Sequence, residues 1–181
     1  MEFSELLKIR QSVRQYQQRP VSRELLEKLI EAVRLAPSAS NAQPWKLIMV
    51  DDPELRSRVA QATFSATVTF NRFALESPLI AVFVTEKSGF ITQVGAMLKK
   101  RPFSLIGIGI AVAHFCLQAA ELGLGTCILG WFDEKRIKRL LRIPAGRRIG
   151  LLVTLGYVVE GYPLREKSRK GADLMSSFNS Y

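Results

Sequence analysis

Near the N-terminus, five consecutive residues combine two guanidiniums with a small hydroxyl: Arg10, Gln11, Ser12, Val13 and Arg14. Two planar donor forks flanking a hydroxyl suit a phosphate or the electron-rich edge of a heterocycle. The alternative is a pair of surface arginines at a helix end, where the helix dipole favours cations. Taken alone, the pattern favours this second interpretation.

A second polar segment runs from Ala36 to Trp45. Pro37 and Pro44 enclose small, hydroxyl and amide side chains, which can bring backbone and side-chain donors close to a flat ligand. An ordinary helix-to-strand turn is the alternative. The occurrence of both segments in one short chain favours a ligand site.

The third candidate is the basic run Arg165 to Lys170. Lys167 and Arg169 alternate with Ser168, and in an extended segment alternate residues point to the same side. Both cations could face one phosphate together with Arg10. Otherwise the run is a solvated, charged end of the chain.

Apolar spacing predicts the elements that position these segments. The predicted helices are Phe3–Arg10, a second from the N-cap Ser22 to Pro37, a third from Asp52–Pro53 to Ala62, and a basic amphipathic helix Glu134–Leu141. The predicted strands are Trp45–Val50, Leu79–Thr85, Cys127–Trp131 and Ile149–Val159. Ser88–Arg101 gives no clear pattern.

The segment Phe103–Leu124 is apolar on nearly every face. Its uncharged part is long enough to span a bilayer, but His114, Gln118 and two glycines argue against a membrane helix. A helix buried all round at the centre of an obligate dimer is the favoured interpretation.

Composition narrows the class of protein. The chain has 181 residues, 48% of them hydrophobic, and a formal net charge of +10, which could attract nucleic acid, anionic lipid or phosphorylated small molecules. Aromatic residues do not interleave with the clusters at Lys135–Arg148 and Arg165–Lys170. Solvated helix faces are favoured for the first cluster, and no nucleic-acid or membrane partner is expected. Cys116 and Cys127 lack the spacing of a metal site and are predicted to be buried reduced thiols. Without a secretory signal pattern, a cytoplasmic location is expected.

Together these motifs resemble the nitroreductase family of flavoproteins. The resemblance rests on R-x-S-x-R at Arg10–Arg14, on Pro37–Trp45, on Glu121–Cys127 running into Gly130, and on Gly161-Tyr162-Pro163 followed by the basic run. It implies one α+β domain over residues 1–181, with a mixed central sheet flanked by helices and an extended tail over 161–181. It also implies an interlocked homodimer with FMN bound between the subunits.

The resemblance also implies roles for individual residues. Arg10, Gln11 and Ser12 would join Lys167 and Arg169 in binding the FMN phosphate and ribityl chain, and Arg14 and Asn71 would lie at the pyrimidine edge of the ring. The partner subunit would supply Pro37, Ser38, Ala39 and Asn41, and the segment facing the ring would be Ile128, Leu129 and Gly130. No nucleophile or metal is required.

The implied activity is electron transfer from NADH or NADPH to a small-molecule acceptor, such as a nitroaromatic or a quinone, by a ping-pong mechanism. A flavin-binding protein with a storage, sensing or non-reductive role is the alternative. A basic nucleic-acid-binding protein is a more distant one.

Overall fold

The computed structural model describes residues 1–87 and 101–181, so most of the unassigned stretch Ser88–Arg101 lies outside the described residues. The helices are α1 (Phe3–Ile9), α2 (Arg23–Arg34), α3 (Pro53–Gln61), α4 (Phe103–Glu121), α5 (Glu134–Leu140) and α6 (Ala172–Met175). The strands are β1 (Trp45–Val50), β2 (Leu79–Thr85), β3 (Leu124–Leu129) and β4 (Ile149–Tyr157), and short 3-10 turns occur at Ala39–Asn41 and Arg72–Leu75.

Local signals account for the helix starts. The Ser22 hydroxyl accepts a hydrogen bond from the Leu25 amide, and the Asp52 carboxylate accepts one from the Leu55 amide at 2.8 Å. These side chains satisfy amide groups that have no partner within the helix. The predicted N-caps of α2 and α3 are therefore confirmed.

The strand that follows α4 begins earlier than predicted. Gly123 has φ +73°, a left-handed conformation that L side chains rarely adopt, and it ends α4 directly before β3. The predicted strand Cys127–Trp131 is therefore wrong at both ends, because the chain already pairs with β4 from Leu124 and leaves the sheet after Leu129.

The sheet has the order β1-β2-β4-β3, and every neighbouring pair is antiparallel. The expectation of a mixed sheet is corrected for these four strands. The crossover through α4 gives β2 and β3 the same direction, but β4 lies between them and runs opposite to both. The parallel pairing in the described residues is an isolated bridge between Ser12 and Thr126.

The sheet separates two hydrophobic layers. Leu79, Ala81 and Phe83 of β2 face α2 and α4, whereas Ile80 and Val82 belong to the layer with α3 and α5. Alternate residues of a strand point to opposite faces of the sheet. The continuous apolar run of β2 therefore arises because both faces of this strand are covered.

Helix α4 is not buried all round within one chain. Ile108, Val112 and Phe115 are fully buried in the core, but Leu105 and Ile106 are about half exposed, and Gly109 and Ala113 also face outward. Within one chain the sheet and α2 cover one face only, so burial all round at the centre of a dimer stays a prediction. Within the described residues, an apolar face of α4 remains uncovered.

In the described part of the chain, α4 is also the helix that is long and apolar enough to cross a membrane, with a mean hydropathy of 1.8. Its buried face packs against α2 and the sheet, as in the core helix of a folded domain. Length and composition are therefore weak evidence for a membrane span here.

The C-terminal tail is not extended throughout. After the turn at Gly161, whose φ is +72°, it runs without regular pairing and then forms the single turn of α6. The Ser176 hydroxyl donates a hydrogen bond to the Ala172 carbonyl at 2.6 Å and closes that turn.

Candidate functional site

The segment after α1 is held at the edge of the sheet. Ser12 forms the bridge to Thr126, and the Val13 amide donates to the Thr126 carbonyl at 2.8 Å. Gly125 makes this approach possible, because a Cβ at that position would lie 2.9 Å from the Val13 side chain. The R-x-S-x-R segment therefore lies along β3.

Tyr16 anchors the other end of this segment. Its hydroxyl donates to the Val13 carbonyl at 2.8 Å and lies 2.7 Å from the Thr154 hydroxyl, with the ring buried. Burial strongly raises the pKa of Tyr16, so the phenol remains protonated and serves as a hydrogen-bonding anchor.

The tail returns to the same segment and is held there by Gln11. The Gln11 side chain donates to the Pro163 carbonyl and accepts from the Arg165 amide, both at 3.0 Å. Both ends of its amide are thus engaged by the tail. Gln11 also lines the cavity described below, but its two hydrogen bonds show that it positions the tail.

Two tail cations reach the backbone of the N-terminal segment. Lys167 Nζ donates to the Arg10 carbonyl at 2.7 Å, and the Arg165 guanidinium donates to the Ser12 carbonyl at 3.2 Å. Arg165 was not among the predicted site residues. The alternation that singled out Lys167 and Arg169 also includes position 165 and could have found it.

These contacts enclose a cavity of about 160 Å³, named here the basic cavity. Its lining residues are Arg10, Gln11, Ser12, Arg165, Glu166, Lys167 and Arg169. Four cations face one carboxylate, and partial burial together with the charges of Arg10 and Arg169 lowers the pKa of Lys167. An anion in the cavity would relieve this repulsion.

Arg14 lies beyond this cavity on the same segment. Its amide donates to the Tyr162 hydroxyl at 3.2 Å, and its guanidinium lies 5.8 Å from the centre of the Phe73 ring. No ion pair holds Arg14 among the described residues. Its charge remains available to a ligand.

The end of β3 presents two of its three predicted ring contacts to the outside. Ile128 is 41% exposed, and a Cβ added at Gly130 would meet nothing within 4 Å. Leu129 is 3% exposed because the pleat directs it into the core. The Leu129 side chain therefore does not face outward, and the predicted contact of this residue with a ligand, which its backbone would have to make, stays a prediction.

Asn71 is buried, and both hydrogens of its amide are used internally. It donates to the Thr63 carbonyl at 3.2 Å and to the Trp131 carbonyl at 3.1 Å, which joins the turn before Arg72 to the segment after β3. Only its side-chain oxygen can serve as an acceptor for a ligand. Phe70 and Trp131, which the sequence did not single out, are exposed beside it with their ring centres 6.3 Å apart.

The segment with Pro37, Ser38, Ala39 and Asn41 lies elsewhere. It enters β1, which is the opposite edge of the sheet from β3, about three strand spacings or roughly 14 Å away. The Ser38 hydroxyl accepts from the Gln43 amide at 2.8 Å and stabilises the loop. Within one chain, the two polar segments therefore lie at opposite edges of the sheet.

Among the described residues, neither the thiols nor the polar clusters form a reactive nucleophile or a metal site. Burial raises the pKa of Cys116 to about 11 and also raises that of Cys127, so both are protonated near neutral pH. No group of three potential metal-ligating side chains occurs among residues 1–87 and 101–181. The cations around the N-terminal segment dominate the chemistry of the site.

Comparisons with known proteins identify a family and a fold for this chain. The family model described as "Nitroreductase family" matches residues 7–157. A protein from Archaeoglobus fulgidus named putative NADH dehydrogenase/NAD(P)H nitroreductase is 30% identical, with 95% of this chain and 91% of that protein covered.

Solved structures show the same fold. A nitroreductase family protein from Clostridium novyi NT is 31% identical with a TM-score of 0.76, covering 88% of this chain and 87% of that one. A protein described as an FMN-dependent nitroreductase from Clostridium difficile R20291 is 27% identical with a TM-score of 0.77, covering 97% and 98%.

Proposed function

Because the chain belongs to the nitroreductase family, we propose that it is an FMN-dependent oxidoreductase that passes electrons from NADH or NADPH to a small-molecule acceptor. The observation that carries this proposal is the basic cavity, where four cations from two distant parts of the sequence surround one anion-sized space. The names of similar proteins as NAD(P)H nitroreductases and as an FMN-dependent nitroreductase support it.

The residues present fit the phosphate of FMN. Arg10, Arg165, Lys167 and Arg169 outnumber the single carboxylate of Glu166, so the lining carries enough positive charge to balance a phosphate dianion. The Ser12 hydroxyl adds a short donor, and charge-assisted bonds to phosphate are stronger than neutral ones. Gln11 acts indirectly, because it holds the tail in place.

The remaining groups fit the isoalloxazine ring. Arg14 would lie at its pyrimidine edge, the Asn71 side-chain oxygen would accept a hydrogen bond there, and Ile128 and Gly130 would line the ring. FMN, when bound, supplies the two-electron redox chemistry. Arg14 stabilises negative charge at the pyrimidine edge, which favours the reduced state.

We infer that the working unit is a homodimer. The uncovered apolar face of α4 needs a partner surface, and the loop with Pro37, Ser38, Ala39 and Asn41 lies at the sheet edge opposite the basic cavity. In a dimer, the loop of one subunit can complete the site of the other. A cytoplasmic location is part of the proposal, since both cysteines are free and buried, as is usual in a reducing compartment.

Steady-state kinetics test the proposed reaction. With NADH or NADPH as donor and a quinone or nitroaromatic as acceptor, double-reciprocal plots should give parallel lines, since both substrates use one open pocket in turn. Intersecting lines would contradict the ping-pong course. If neither nicotinamide is oxidised, a storage, sensing or non-reductive role becomes the better account.

A further inference from the structure

A second basic concavity lies between α3 and α5 and shares no lining residue with the basic cavity. It has a volume of about 500 Å³ and is named here the arginine groove. Its lining residues are Arg58, Arg136, Arg139, Leu140 and Arg142. Four guanidiniums and no carboxylate line one space, and the proposed flavin site does not use any of them.

Ion pairs divide the basic run Lys135–Arg148 into two groups. Lys138 lies 3.0 Å from the Glu134 carboxylate and Arg148 lies 3.1 Å from it, whereas Arg147 pairs with Glu86 at 2.9 Å. None of these three paired residues lines the arginine groove. The three cations of this run that form ion pairs therefore lie outside the arginine groove.

The groove arginines are poorly neutralised. In the described part of the chain, Arg139 and Arg142 have no ion pair, and Arg58 reaches Glu54 only at 4.0 Å with both side chains mostly exposed. Arg136 donates to the neutral Gln61 side chain at 3.1 Å, which orients its guanidinium without cancelling its charge. The groove therefore carries a surplus of positive charge.

A second feature of the arginine groove is the backbone conformation of Arg142. Its φ of +54° is left-handed, at a helix end where glycine or asparagine is favoured. The Ile143 amide donates to the Lys138 carbonyl at 2.9 Å and fixes this turn. Arg142 is exposed at this turn, and its side chain lines the groove.

A larger, more open groove of about 840 Å³ adjoins the first and shares Arg139 and Arg142 with it. Ile143, Ala145 and the Lys138 stem give it an apolar wall. No aromatic side chain lines either groove in the described residues, so bases of single-stranded nucleic acid find no stacking platform there.

We propose that the arginine groove binds an organic polyphosphate, with its phosphates between Arg58, Arg136, Arg139 and Arg142 and its uncharged part in the adjoining groove. Guanidinium forks match phosphate oxygens in pairs, and several arginines around one space favour two or more phosphates over a single one. The volume of the groove is in the range of small-molecule sites.

Calorimetric titration of the protein as purified, with its flavin, tests the proposal. Tripolyphosphate and ATP serve as probes at low salt. An RNA of about 20 nucleotides, on the order of the footprint of one binding domain, serves as a comparison. Both probes should bind with saturation, ATP more tightly, and salt should weaken both. Release of flavin during the titration would place the probes in the basic cavity and overturn the proposal, as would RNA binding more tightly than ATP.

Matched variants locate the binding site. Arg139→Gln/Arg142→Gln should weaken ATP binding by about tenfold or more, whereas Arg23→Gln/Lys28→Gln, which removes the same charge from α2, should change it by less than about twofold. Equal losses of ATP affinity in the two variants would show that only net charge matters and would rule out the arginine groove as the binding site.

Arg142→Gly keeps the test valid if the double variant folds poorly. Glycine suits the left-handed backbone, so this variant should unfold at a higher temperature while binding ATP more weakly. Unchanged ATP affinity in this variant would show that the guanidinium is not a ligand for phosphate.

Discussion

At the scale of single residues, the cations of the tail are the most consequential prediction. The alternation of Lys167 and Arg169 predicted a shared face, and both line the basic cavity together with Arg10. Their assignment to the FMN phosphate remains a proposal. The sequence pattern could not reveal Gln11 as the residue that holds the tail, because that role depends on contacts with Pro163 and Arg165.

Replacing Lys167 and Arg169 with alanine together tests the phosphate assignment. Loss of two charge-assisted bonds, worth about 1.5–3 kcal/mol each, should weaken FMN binding by about tenfold or more. Riboflavin, which lacks the phosphate, should lose much less affinity. Fluorescence titration of the apoprotein measures both, with Lys170→Ala as the control; equal losses for FMN and riboflavin would rule out a phosphate clamp.

Arg14→Gln tests the role of the Arg14 guanidinium. Without a cation at the pyrimidine edge, the reduction potential of bound FMN should become more negative, because negative charge there is less stabilised. Arg14→Lys should restore part of the difference. An anaerobic titration against a reference dye gives the potential, and an unchanged value in Arg14→Gln would remove Arg14 from this role.

At the scale of elements, close backbone approach decides how the site forms. Local patterns predicted β1 and β2 at their observed bounds, but not the docking of residues 12 and 13 on β3. That docking depends on Gly125, which the sequence presents only as part of a glycine-rich segment.

Gly125→Ala should therefore destabilise the protein. The added Cβ would meet Val13 at 2.9 Å and Val158 at 2.8 Å, and such overpacking costs about 1–3 kcal/mol. Thermal unfolding should occur at a lower temperature and FMN affinity should fall. Gly146→Ala, where a Cβ meets nothing within 4 Å, is the matched control; equal melting temperatures for the two variants would refute the packing argument.

The exposed face of α4 leads to a test of the dimer. Ala113→Arg places a charge on this apolar face and should produce monomers that bind FMN weakly, because the partner loop is then missing. Ala145→Arg, on the opposite side of the sheet, should remain dimeric. Sedimentation velocity distinguishes them, and a flavin-loaded monomer in either variant would contradict the shared site.

At the scale of the whole molecule, residue patterns predicted the element types and their order more closely than their arrangement. The spacing of apolar residues indicates which faces of a segment are buried. The sequence therefore predicted α2 and the fully covered strand β2. The insertion of β4 between β2 and β3 depends on contacts far apart in sequence, and the mixed sheet was therefore wrong for the described strands. The two sides of α4 were not distinguishable, because both are apolar.

The same limit applies to the site. Motifs identified the two polar segments, but their placement at opposite sheet edges emerged only from the fold. That separation is the reason for inferring that two subunits build each site.

Anaerobic reduction of the purified protein tests whether it is an FMN-dependent oxidoreductase that accepts electrons from NADH or NADPH. The protein should carry a flavin absorbance band, with one FMN per chain, and stoichiometric NADH or NADPH should bleach that band before a quinone restores it. Protein that is colourless and does not bind added FMN would contradict the account, because the basic cavity and Arg14 would then lack the ligand to which their charges are assigned.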